Sequence, residues 1–243
     1  MKITEHQVSD LAINPPRMLC DKPISEDIKE PLPSSHHFAA YIGIPGRGKT
    51  SLAMSILTHP DGYHKKFNNI FVVMPKNSRE SIAGEPFKKH PPEKLFEELD
   101  ASVLEFVHEY AKLESAHGHT SLLIPDDCAA QLKDTQTQKL LKTLIFNRRH
   151  LKLSIWICTQ GYNQLPLPIR KTITHAYVFK PANKKELENI FTELIFLPKE
   201  QVEALSEHMW GESNGFDDGA HNFMMLDTNH SKIYKNFNLL QVE

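Results

Sequence analysis

The chain has 243 residues, 40% hydrophobic and 24% charged, which suits one large α/β domain or a domain with an appendage. Its 28 Lys+Arg against 30 Asp+Glu leave a net charge of −2, which excludes a global basic field, so any nucleic-acid contact has to come from local clusters. Cys20, Cys128 and Cys158 are odd in number and far apart, the first ten residues hold no apolar signal core, and no apolar run approaches the roughly 20 residues of a membrane span. Reduced thiols in a soluble intracellular protein are expected.

Residues 1 to 37 carry Pro15, Pro16, Pro23, Pro31 and Pro33 among scattered charges. Each proline blocks helix and sheet continuation, so this stretch is predicted to be an extended arm along the core or along a neighbouring subunit. Phe38 to Ile42 is an apolar run that ends at Gly43, and a helix-like run from Ser51 to Leu57 follows. Asn69 to Met74 reads as a second buried strand closed by Pro75. Residues 75 to 100 are mixed and contain Pro86, Pro91 and Pro92. Val103, Leu104, Val107, Tyr110, Ala111 and Leu113 recur at helical spacing, which predicts an amphipathic helix from Ala101 to Ala116 ended by Gly118.

The strand Ser121 to Ile124 runs into Pro125-Asp126-Asp127, and a helix is predicted from about Ala129 to His150 with Leu132, Leu140, Leu141, Leu144 and Ile145 inward. Leu153 to Thr159 is a further strand ending at Gln160; a loop with Pro166 and Pro168 leads through Ile169-Arg170 to a fifth strand, His175 to Phe179. Helices are predicted from Asn183, as cap, to Phe196 and from Lys199 to Met209. A Gly/Asp-rich loop spans Gly211 to Gly219, and Phe223 to Leu226 with Lys232 to Phe237 reads as a closing hairpin. The alternation predicts an α/β fold: a mostly parallel central sheet, helices on both faces, a C-terminal β-hairpin, and a division into an arm (1–37) and a domain (38–243).

Gly43-Ile44-Pro45-Gly46-Arg47-Gly48-Lys49-Thr50 fits G-x-x-x-x-G-K-[ST] between strand and helix, the order a phosphate-binding P-loop requires. Glycines let backbone N–H groups of residues 43–51, Ser51 included, turn toward phosphate oxygens, and the helix start adds its positive end. Lys49 is expected at the β- and γ-phosphates of ATP and the Thr50 hydroxyl at Mg²⁺. Asp126, directly after an apolar strand, is the expected second Mg²⁺ ligand; Asp127 orients or deprotonates the attacking water, or one of the two caps the next helix. In the additional-strand class of P-loop ATPases the strand ending in Gln160 lies between the other two, so Gln160 would sense phosphate or position water. Arg148 and Arg149, at a helix C-terminus that favours cations in any case, are candidates for an arginine acting in trans, as is Arg170. Asn183-Lys184-Lys185-Glu186 mimics the guanine motif N-K-x-D but is better read as a helix start. The 14 histidines stand at no metal-site spacing.

Taken together, GIPGRGKT, LLIPDD, NRRH before a strand ending in TQ, and LPLPIR before HAYVF resemble the genome-packaging ATPases of poxviruses, other large DNA viruses and virophages, within the FtsK–HerA superfamily. The resemblance covers about Phe38 to Phe237. It implies a homo-oligomeric ring, pentamer or hexamer, that hydrolyses ATP to drive double-stranded DNA into a preformed capsid, docking on a capsid or portal-vertex protein. It also implies work at an assembly site in the cytoplasm of the infected host cell, or carriage in the virion. Lys49 and Thr50 match the P-loop pair, Asp126 and Asp127 the acidic pair, Gln160 the strand-end glutamine and Arg148 or Arg149 the upstream arginine. Lys65/Lys66, Lys88/Lys89 and Lys184/Lys185 are the basic pairs available for DNA phosphates. A small-molecule phosphotransferase and a nucleotide-gated scaffold are the competing readings.

Overall fold

Five parallel strands (Phe38–Ile42, Asn69–Val73, Ser121–Pro125, Leu153–Thr159 and His175–Phe179) whose side chains alternate between two buried faces position everything else. The computed structural model describes residues 22–80, 82, 86–211 and 221–241. The first 21 residues of the expected arm, with Cys20, and most of the Gly/Asp-rich loop lie outside the described residues.

In chain order the elements are β1 (Phe38–Ile42), α1 (Lys49–Thr58), β2 (Asn69–Val73), α2 (Lys76–Glu80), β3 (Leu95–Phe96), α3 (Ala101–Ala116), β4 (Ser121–Pro125) and α4 (Thr135–Asn147). They continue as β5 (Leu153–Thr159), α5 (Leu167–Arg170), β6 (His175–Phe179), α6 (Lys184–Glu193), α7 (Lys199–Trp210), β7 (Phe223–Asp227), β8 (Lys232–Lys235) and β9 (Asn238–Leu240). They form one sheet in the order β3-β2-β4-β5-β1-β6-β7-β8-β9. The first six strands are parallel; β7, β8 and β9 extend the sheet antiparallel.

Because successive strand side chains point to opposite faces, each apolar run feeds two cores. Phe38, Ala40 and Ile42 of β1 join Ile155 and Ile157 of β5 in a core covered by α3, α4, α6 and α7. Ala39 and Tyr41 join Trp156, Cys158 and Tyr177 beneath α1. The described end of the arm adds Ile28 to this second core, and Tyr63 Oη donates to Pro33 O at 2.7 Å.

Capping sets the helix limits. Asp100 accepts from Val103 N at 2.9 Å, Asp134 from Thr137 N at 2.7 Å and Asn183 from Glu186 N at 2.9 Å, each satisfying an otherwise unpaired amide of a first turn. Asp134 also explains one correction: the helix predicted from Ala129 begins only at Thr135, after a 3₁₀ turn at Gln131–Lys133. Likewise α6 ends at Glu193, short of Phe196. The second strand of the hairpin ends at Lys235, where Asn236 turns at φ 55°, and β9 follows as a third antiparallel strand.

Candidate nucleotide site

Parallel strands aim all their C-terminal ends at one edge of the sheet, and ligands of open α/β sheets bind there, where the chain leaves neighbouring strands in opposite directions. Here β1 sends the chain over β5 and β4 to reach β2, while β6 lies on its other side. β5 therefore separates the strand before the glycine-rich loop from the strand before Asp126. Neighbouring strands are about 4.8 Å apart, so Asp126 starts about 10 Å from the end of β1. The first turn of α1 crosses that gap: Thr50 Oγ1 donates to Asp126 Oδ2 at 2.6 Å.

The loop is built for that crossing. Gly43 N donates to Thr159 O at 3.1 Å, tying the exit of β1 to β5. A Cβ on Gly43 would stand 2.8 Å from Phe179 Cβ, so only glycine fits the packing there. Gly46 and Gly48 have φ of 81° and 95°, left-handed values that L side chains rarely adopt. Gly48 caps α1, which begins at Lys49, two residues before the predicted Ser51. Lys49 Nζ donates to Ile44 O at 3.2 Å, holding the ammonium over the mouth of the loop.

A cleft of about 510 Å³ opens above these groups. Pro45, Gly46, Lys49, Thr50 and Ser51 form one wall, and Asp126, Asp127 and Gln160 the other. Asp126 is 8% exposed, and burial raises its carboxyl above the ordinary value against the opposing pull of the Thr50 hydroxyl and the Lys49 charge. Asp127 has φ 56°, a left-handed conformation that an aspartate tolerates better than most residues. That turn brings its carboxylate to Gln160, whose Nε2 donates to Asp127 Oδ1 at 2.9 Å. Neither aspartate caps α4; Asp134 does. Two thiols lie beneath. Cys128 Sγ donates to Asp126 O at 3.2 Å and is pushed up to about 12 by burial, and burial also holds the Cys158 thiol well above its usual range.

Lys49, Thr50, Asp126, Asp127 and Gln160 thus converge; the arginines do not. Arg148 closes α4 and donates through Nε to His36 O at 3.3 Å, just before β1 begins. That is the opposite end of the sheet from Gly43, about 16 Å along a five-residue strand. Arg149 neighbours it, exposed. Arg170 is committed within the chain: its guanidinium makes bonds of 2.9 and 2.8 Å to Glu193 and lies 5.0 Å over the Tyr162 ring. Sequence reasoning missed Met74, Ser78 and Ile82, which line the cleft from the segment after β2. It also missed His221, whose Nδ1 lies 3.4 Å from Arg47 O.

This fold and this cleft define a P-loop NTPase of the additional-strand class. The chain belongs to the Poxvirus A32 protein family, which matches residues 28–206. The uncharacterized protein B354L of African swine fever virus is 42% identical over 50 residues, 21% of this chain and 14% of that relative's length. Among solved structures, the genome packaging NTPase B204 of Sulfolobus turreted icosahedral virus 2, in complex with ATP-gammaS, superposes with a TM-score of 0.60 at 17% identity, covering 84% of this chain and 98% of that one. B204, the DNA-packaging ATPase of Sulfolobus turreted icosahedral virus, gives 0.59 at 17% identity over 84% and 98%. EssC of Geobacillus thermodenitrificans gives 0.53 at 11% identity over 84% of this chain and 39% of that one. At these identities the structural likeness is one of fold. Among the described residues no helix is long and apolar enough to cross a membrane.

Proposed function

We propose that this chain is the ATP-driven motor that moves double-stranded viral DNA into a preformed capsid. The observation that carries the reading is the meeting of Lys49, the Thr50–Asp126 pair and the Asp127–Gln160 pair around one cleft, in a chain of the A32 family. In this reading Lys49 balances charge on the β- and γ-phosphates, and the loop amides cradle them. The Thr50 hydroxyl and the Asp126 carboxylate are hard oxygen donors already 2.6 Å apart, a donor set that suits Mg²⁺. Bound there, Mg²⁺ would neutralise charge developing on the phosphates and offset the desolvation of Asp126. Asp127 takes the proton of the attacking water, and Gln160, fixed on Asp127, orients that water.

Arg148 or Arg149 serves the neighbouring subunit, since their distance from their own cleft leaves action in trans as the geometry open to them. In this reading the working form is a homo-oligomeric ring, pentamer or hexamer, in which each arginine meets the next subunit's cleft. DNA phosphates would meet loops through Lys65/Lys66, Lys88/Lys89 and Lys184/Lys185, without base readout. The arm (residues 1–37) and the ATPase domain (residues 38–243) are distinct parts of this machine, with the arm available to a capsid or portal-vertex protein at the cytoplasmic assembly site or within the virion.

The test is steady-state ATP hydrolysis by the full chain with and without duplex DNA, alongside particle mass. Duplex-stimulated hydrolysis in a ring, lost in Lys49→Ala, is the expected result. Hydrolysis that duplex fails to stimulate in any oligomeric state would overturn the motor.

A further inference from the structure

A carboxylate that the mechanism above does not use holds the loop after Gln160. Glu186, in the first turn of α6, is 7% exposed, and its Oε1 accepts the backbone N–H of Tyr162. That bond satisfies the buried oxygen with a main-chain donor. The approach is close: a methyl group on Gly161 would stand 3.0 Å from Oε1. The same helix holds the rest of the loop. Tyr162 Oη donates to Glu193 Oε2 at 2.8 Å, and Asn189 Nδ2 to Asn163 Oδ1 at 3.0 Å.

At the head of this loop stands Gln160, with its amide 2.9 Å from Asp127. We propose that Glu186 is a positioning residue for Gln160: by fixing the backbone at Tyr162, it keeps the Gln160 amide on Asp127 beside the reacting phosphate. The proposal rests on the ATPase reading. Planar peptides leave few soft dihedrals between the clamped N–H and the Gln160 side chain, so the clamp restricts where that amide points. Once released, the amide would drift by ångströms, and a misplacement of about 1 Å is enough to slow chemistry by orders of magnitude.

The test compares Glu186→Ala, Glu186→Gln, Gln160→Ala and the Glu186→Ala/Gln160→Ala double variant in the full chain. Glu186→Ala is expected to lower kcat by about tenfold or more while KM for ATP stays within about twofold. Glu186→Gln, whose amide oxygen still accepts the N–H, is expected to keep most of kcat. The double variant should be no slower than Gln160→Ala alone, because the clamp acts through Gln160. Amide hydrogen exchange supplies a readout independent of turnover: residues 160–166 should exchange faster in Glu186→Ala than in wild type or Glu186→Gln. If wild type binds ATP without cleaving it, this exchange difference still supports the clamp while the ATPase reading fails. Should Glu186→Ala not fold, Gly161→Ala crowds the same oxygen from the loop side and should lower kcat at unchanged KM. Undiminished kcat in Glu186→Ala, losses that multiply in the double variant, or unchanged exchange would each overturn the proposal.

Discussion

The two ends of the parallel sheet are polar in opposite ways. At the C-terminal end, Lys49, Thr50, Asp126, Asp127 and Gln160 surround an open cleft, and each side chain is held by few partners. At the N-terminal end many of the polar groups pair with one another, although His36 Nδ1 and Ser121 Oγ are buried without a partner. His37 Nδ1 lies 2.8 Å from Ser35 O and its Nε2 accepts from Trp156 Nε1 at 2.7 Å, which uses both ring nitrogens and requires the neutral ring. Thr174 Oγ1 donates to Phe38 O at 2.9 Å, and Asp227 takes His230 Nδ1 at 2.6 Å. The same strands thus carry groups spent on folding at one end and groups left for a ligand at the other. Substitutions should separate along that axis, with activity lost at one end and stability at the other.

The largest separation is expected from Asp126→Asn. On the proposed mechanism, loss of the Asp126 carboxylate should lower ATP turnover by about 10³-fold. Stability should hold or rise, since burial raises the Asp126 carboxyl and the folded state therefore disfavours its charged form at neutral pH. Turnover and a thermal melt on one preparation decide it. A large fall in Tm would make Asp126 a structural residue like those of the closed end.

Trp156→Ala is the converse at the closed end. The ring is fully buried against Tyr41, Tyr63 and Phe67, and its removal also strips His37 of its donor. Large-to-small changes of this kind cost about 3–5 kcal/mol. Denaturant unfolding should show that loss, while the affinity of the folded fraction for an ATP analogue stays at the wild-type value.

The third separation is by pH. Burial first, then neighbouring cations, lowers His36 to about 4; burial lowers His175 to about 4 against the pull of Asp227; burial holds His37 well below its usual range. Unfolded histidines titrate near 6.5. Between about 6.5 and 4 the unfolded chain therefore binds more protons than the folded one, so stability falls as pH falls through that window. The slope is about 1.4 kcal/mol per pH unit for each histidine kept neutral. Melts across this range should show the fall, and His36→Phe should reduce its slope by about 1.4 kcal/mol per pH unit, leaving the share of His37 and His175. A flat profile would show that this end of the sheet takes up protons without unfolding.

The open end was the more legible of the two. An apolar run stopped by Gly43 and another stopped by Asp126 mark strand ends directly, because an active site sits where a buried strand meets polar residues. Gln160 was legible for the same reason. What escaped the sequence was set by contacts between distant segments. Met74, Ser78 and Ile82 reach the cleft from before, within and after a five-residue helix, a stretch too short to carry a periodic signal. The His37–Trp156 pair joins residues 119 apart, and either alone looks like an ordinary core residue. β9 and the late start of α4 depend on a turn at Asn236 and a cap at Asp134, local choices that apolar spacing does not reveal.

Asn183 shares features of the two ends, and its replacement should change least. It stands after β6 on the cleft side of the sheet, and with Lys184, Lys185 and Glu186 it imitates a base-recognition motif. Its geometry is that of the closed end, however: Oδ1 accepts the N–H of Glu186 at 2.9 Å, and Glu186 turns inward to Tyr162. A side chain spent on a cap has no oxygen aimed at a nucleobase. Asn183→Ala should therefore cost about 1 kcal/mol of stability and leave the ratio of ATP to GTP affinities unchanged, and Asn183→Asp should restore the stability. A changed ATP/GTP ratio in Asn183→Ala would move this residue from the folded framework into the nucleotide site.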